Sequence, residues 1–78
     1  MKGVKKMSEP KVFVSKVTHE AETIIKIFDF KDFDAAVEFA KQIELNDFYI
    51  CVFVALQKNG IPCAERRIYE IFGPTANE

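Results

Sequence analysis

Few side chains in this 78-residue chain are of a type and spacing that could do chemistry. His19 is the single histidine, and it stands in a polar stretch, His19-Glu20-Ala21, with no neighbouring cysteine, serine or carboxylate pair to complete a catalytic or metal-binding arrangement. Cys51 and Cys63, taken with that histidine, fall short of the four ligands of a structural zinc site, so no metal is expected. Cys51 lies inside an apolar run and reads as a small buried hydrophobe, while Cys63 lies near a turn and is the more accessible thiol. Lys58-Asn59-Gly60 lacks the glycine spacing and the Lys-Ser/Thr pair of a phosphate loop. No nucleophile, base and orienting group can be assembled, so the expectation is a protein that is not an enzyme and needs no cofactor.

What remains is binding. Six acidic residues, Asp29, Asp32, Asp34, Glu38, Glu44 and Asp47, stand against two lysines between positions 29 and 47, and they read either as a solvated helix face or as a negative surface for a basic partner. Arg66-Arg67 reads as rim charge on an edge strand, or as part of a patch in which Arg66 stacks on Phe53. Alternation along a strand sends the two arginines to opposite faces.

These residues are positioned by a chain organised around Phe48–Leu56, FYICVFVAL, an unbroken apolar run flanked by Asn46-Asp47 and Lys58-Asn59-Gly60. The run is too short to cross a membrane as a helix, which takes about 20 apolar residues, and its Val, Ile, Phe and Tyr content favours a pleated strand. Phe48, Ile50, Val52, Val54 and Leu56 then share one face, with Tyr49, Cys51, Phe53 and Ala55 on the other. Before it, Lys11–Thr18 and Glu22–Phe30 read as a hairpin whose turn lacks an Asn-Gly signal. Asp32 can cap a helix from Phe33 to Leu45, with Phe33, Ala36, Val37, Phe39, Ala40 and Ile43 in one stripe and Asn46 as a left-handed end. Asn59-Gly60 fits a two-residue type I′ turn into a last strand over 63–72. A helix over 63–72, started by Pro62 and stopped by Gly73-Pro74, is the alternative. Counting outward from that turn places Val52 opposite Arg67, Ile50 opposite Tyr69, Phe48 opposite Ile71, Cys51 opposite Ile68, Phe53 opposite Arg66 and Tyr49 opposite Glu70. The same register holds Cys51 and Cys63 about 17 Å apart, so no disulfide joins them.

The hydrophobic fraction of 49% with eight Phe makes a packed domain, and the net charge of −1 gives no overall pull toward nucleic acid or anionic membrane. Met1–Lys6 is basic but is followed by Ser8-Glu9-Pro10-Lys11, which is not a secretory apolar segment, and Met7-Ser8-Glu9 reads as a natural start. Residues 1–10 are expected to be a flexible arm, 11–73 a single domain and 74–78 a frayed end. Free thiols without an export signal point to the cytoplasm.

From Phe28 to Val54 the succession of strand, acidic turn (Lys31-Asp32-Phe33-Asp34), Ala-rich helix (Ala35-Ala36-Val37-Glu38-Phe39-Ala40) and strand resembles small bacteriophage proteins that inhibit host enzymes, inhibitors of bacterial RNA polymerase among them. The resemblance implies a small protein that binds and occludes a larger host protein, in the host cytoplasm.

The fold expected is α+β: a four-stranded sheet in ββαββ order, β-grasp-like arrangements included, with one helix on one face. The strand Phe48–Leu56 is apolar on both sides and a single helix covers one, so the other face, with Tyr49, Phe53, Arg66 and Ile68, is the expected partner-binding surface. The partner expected is another protein, met through that face or a strand edge. Self-association of the same face into a homodimer is a second resolution. A single-stranded nucleic acid held on Tyr49 and Phe53, with Lys2, Lys5 and Lys6 on phosphates, is a third, and the acidic helix works against it.

Overall fold

The structure, a computed structural model, describes residues 10–73. It is a small α+β domain with one antiparallel sheet and one helix. The strands are β1 (Pro10–Val17), β2 (Glu22–Asp29), β3 (Tyr49–Lys58) and β4 (Ile61–Phe72), and a short 3-10 turn (Phe30–Asp32) leads into α1 (Phe33–Lys41) between β2 and β3. The sheet order is β2-β1-β3-β4, with every neighbouring pair antiparallel. The arm and tail expected at the two ends lie outside the described residues, except that Pro10, placed with the arm from sequence, opens β1. A proline suits that place, since a first strand residue has no ladder hydrogen bond to lose.

Residues 61–72 form a strand and not a helix. The hairpin that creates it turns at Asn59 and Gly60, with φ of 57° and 80°, and Gln57 Oε1 accepts the Gly60 N–H at 2.8 Å. Both central residues of a type I′ turn need positive φ, which Asn tolerates and Gly adopts freely. In the first hairpin Thr18 does the work of the missing Asn-Gly pair. Its Oγ1 accepts the N–H groups of Glu20 and Ala21, while its backbone N–H donates to the Ala21 carbonyl at 2.9 Å.

Four local expectations are corrected. The helix ends at Lys41 and not at Leu45, because the N–H groups of Gln42 and Ile43 turn back to the carbonyls of Phe39 and Ala40 in a tightened last turn. Asn46 has no positive φ, so it is not the left-handed end, and Asp32 makes no side-chain capping bond, because the 3-10 turn brings the chain into the helix instead. The β3–β4 register slips twice. Lys58 faces Ile61 and Gln57 faces Pro62 as the turn dictates, but Ala55 then faces Arg66, Val54 faces Arg67 and Phe53 faces Ile68. A second slip sets Val52 opposite Glu70, Cys51 opposite Ile71 and Ile50 opposite Phe72. Residues 63–65 thus share Leu56, and Tyr69 is an extra residue opposite the Val52–Phe53 step. Bulges of this kind bend the strand that carries them.

The helix lies against the even-numbered face of β3. Ala36 and Ala40 are buried with Val12, Val14, Ile50 and Val52, and Phe33, Val37, Phe39 and Ile43 pack at the margin with Phe28, Val54 and Phe72. Alanines at these two positions take little room between helix and sheet, which lets the helix sit close to the branched side chains of β1 and β3.

The odd-numbered face of β3, expected to be open, is closed along its middle. Phe13, Cys51, Phe53 and Ala55 form a second buried cluster, with Val17 and Ile24 beside it. No second helix covers this face; the curl of the sheet does. In a flat sheet the two edge strands of four stand about 14 Å apart, three spacings of about 4.8 Å. Here side chains from the edge strands β2 and β4 meet across the intervening two.

Candidate functional site

That meeting is between Glu22 and Arg66. Arg66 Nη1 donates to Glu22 Oε1 at 3.1 Å and Nη2 donates to Oε2, a bidentate pair that joins residues 44 positions apart in the chain. The Arg66 guanidinium lies 3.8 Å over the centre of the Phe53 ring, and Phe53 stacks in turn on Phe13 at 5.2 Å and 10°. Ser15, fully buried on β1, donates its hydroxyl to Glu22 Oε2 at 2.7 Å, which satisfies the one polar side chain among the buried described residues. The hydrogen bond from Arg66 is the main reason the Glu22 carboxyl titrates below the ordinary carboxylate range; burial opposes the shift, and the Ser15 bond adds to it. The same bond raises Arg66. Cys51, under this clasp, has its thiol pushed up by burial, against the pull of the Arg66 charge.

The four residues expected to form one docking surface therefore play different parts. Phe53 is fully buried and sits beneath Arg66. Arg66 forms the outer layer over it. Tyr49 and Ile68 are each about half exposed, and Ile68 stands directly opposite Phe53. The second slip in β4 sends Ile71 to this same face opposite Cys51, where it is 58% exposed. Tyr49 rests against Gly73, where a methyl group would overlap its ring. The surface presented is thus Tyr49, Ile68 and Ile71 around an arginine lid. Glu22 and Ser15, which fasten the lid, were invisible as a pair in the sequence, because their meeting with Arg66 depends on the curl. His19 stays in the exposed first turn, and Cys63 is exposed on β4 as its place near the second turn suggested.

A second surface, on the helix side, was missed from sequence. Beside the 3-10 turn, before the helix begins, a groove of about 580 Å³ runs between Pro10, Phe30, Leu56 and Tyr69, with Val54, Ala55 and both Arg66 and Arg67 in its lining. A smaller hollow of about 240 Å³ continues it between Phe30, Phe33 and Tyr69. Phe30, Leu56 and Tyr69 are each close to half exposed, and Tyr69 meets Phe33 edge-on at 4.9 Å. The signal that could have found it is Phe30, an aromatic residue left just beyond the last paired residue of β2.

Among the described residues no group of three or more His, Cys, Asp or Glu side chains is placed to hold a metal ion, and no helix is long and apolar enough to cross a membrane. Compared with protein-family models, with curated proteins and with solved structures, the chain matches none.

Proposed function

We propose that this is a non-enzymatic protein-binding module that docks on a larger protein through the β4 side of its sheet, in the manner of a small inhibitor or adaptor. One observation carries the reading. Nine large apolar side chains are exposed among the described residues, and four of them, Ile61, Ile68, Tyr69 and Ile71, stand on the single edge strand β4. An edge strand with apolar side chains on both faces is a surface that water does not favour and a partner can cover. The resemblance to phage inhibitors of host enzymes supports the same reading, and would place the partner in the host cytoplasm.

The test is affinity capture from a cell lysate with a variant that spares the core. Phe53→Asp is unsuitable, since Phe53 is fully buried and the charge would disturb folding first. Ile68→Asp and Ile71→Asp place the charge on the exposed surface. Loss of a captured protein with both, in chains that keep the native circular dichroism spectrum, is the expected result. Retention of every captured protein by both variants overturns the reading.

A further inference from the structure

We infer that the groove between the 3-10 turn and the β3–β4 hairpin receives a partner segment in which a bulky apolar side chain stands next to a carboxylate, with Arg67 taking the carboxylate. This rests on the protein-docking reading and names the chemistry of what docks.

Three independent features converge on this place. The first is shape and lining: about 580 Å³ is within the range of sites that seat a side chain or a small ligand, and Pro10, Phe30, Val54, Leu56 and Tyr69 supply an apolar wall. The second is charge. Arg66, its chain neighbour, also lines the groove, but its guanidinium is committed to Glu22, whereas Arg67 makes no ion pair with any described residue. A guanidinium at an apolar wall is a strong receptor for one carboxylate, because the wall thins the competing water and the planar fork bonds both oxygens. Acidic side chains on the adjoining helix, Asp34 and Glu38, disfavour a partner that is acidic throughout, so a single carboxylate beside an apolar side chain is the fitting pattern. The third is backbone. The two slips of the β3–β4 register bracket the Arg66–Ile68 stretch: one leaves Leu56 facing three residues, the other inserts Tyr69 where it meets Phe33. Both irregularities of this strand therefore fall at the groove's walls, and bulges gather where a strand has to re-aim side chains.

The test uses three probe peptides, Ac-Gly-Phe-Glu-Leu-Gly-NH2 and its Gln and Lys counterparts, titrated into the full 15N-labelled chain. The expected result is saturable shifts at the amides of Phe30, Leu56, Arg67 and Tyr69, with the Glu peptide bound about five-fold more tightly than the Gln peptide and the Lys peptide weakest. Arg67→Glu, an exposed change that leaves amide dispersion intact, should reverse the preference toward the Lys peptide. Equal response to all three peptides, shifts confined to Tyr49 and Ile68, or no saturable shift overturns the inference. The two readings separate: a protein captured from lysate whose binding is lost with Ile68→Asp but indifferent to Arg67→Glu keeps the docking reading and removes the groove, whereas retention by Ile68→Asp and Ile71→Asp removes the docking reading itself.

Discussion

At the scale of single residues, the Arg66–Glu22 pair decides what the sheet face presents. Arg66 does not display Phe53; it covers it, and Glu22 fixes the cover in place. Both side chains remain about a third exposed, so Glu22→Gln is expected to cost only about 1 kcal/mol, read as a lower urea midpoint at pH 7. Because folding lowers the Glu22 pKa, its contribution is fully present above the ordinary glutamate range and is lost as pH falls through the depressed folded value. Stability of the native chain should therefore fall more steeply than that of Glu22→Gln as pH drops below the ordinary glutamate range; equal slopes would show that the pair contributes nothing. Cys51 offers a direct reporter of the same clasp. In a Cys63→Ser background the native Cys51 thiol should react slowly with 4,4′-dithiodipyridine, and Glu22→Gln should quicken it several-fold by loosening the layer above. The stacking of Arg66 on Phe53 was one of two readings of the sequence, and it came from a register that set the two directly opposite; in the structure Arg66 faces Ala55 and reaches the ring diagonally. The consequence was not legible, because burial of that ring needs Glu22 from the far edge of a curled sheet.

At the scale of elements, the strands, the turn at Asn59-Gly60 and the helix stripe could be read from residue types alone. Turn geometry follows from which residues accept positive φ, and Gly60→Ala, at φ 80°, is expected to cost about 1–2 kcal/mol although a methyl there meets nothing within 4 Å. A Tm unchanged by that substitution would mean the turn relaxes to another type. The helix–sheet contact is equally explicit. Ala36→Leu should destabilise by about 1–3 kcal/mol, since Val12, Val14, Ile50 and Val52 leave no room beside a fully buried alanine. The register beyond the turn was not legible. A bulge has no obligatory residue type, so counting outward from Asn59-Gly60 held for two pairs and then failed. That failure moved Ile71 to the open face and Phe72 into the helix-side core. The helix end was misread for a related reason: Asn46 is compatible with a left-handed end, but the chain had already left the helix at Lys41.

At the scale of the whole molecule, the surplus of apolar residues that the sequence showed is real but differently placed. Curling absorbs much of it into a second small core, and what is left over concentrates on β4 and on the groove beside Phe30 and Tyr69. Self-association and heterologous docking both remain physical uses of such an edge, and they separate by mass: a tight homodimer would protect Ile68 and Ile71 from any other protein. The most direct test of the central claim is capture of a partner protein by the native chain, by Ile68→Asp and by Ile71→Asp, with sedimentation of the native chain alone at the same concentration. The account predicts a monomer that captures a partner and two folded variants that do not. A native chain already dimeric through β4, or variants that retain the partner in full, would contradict it.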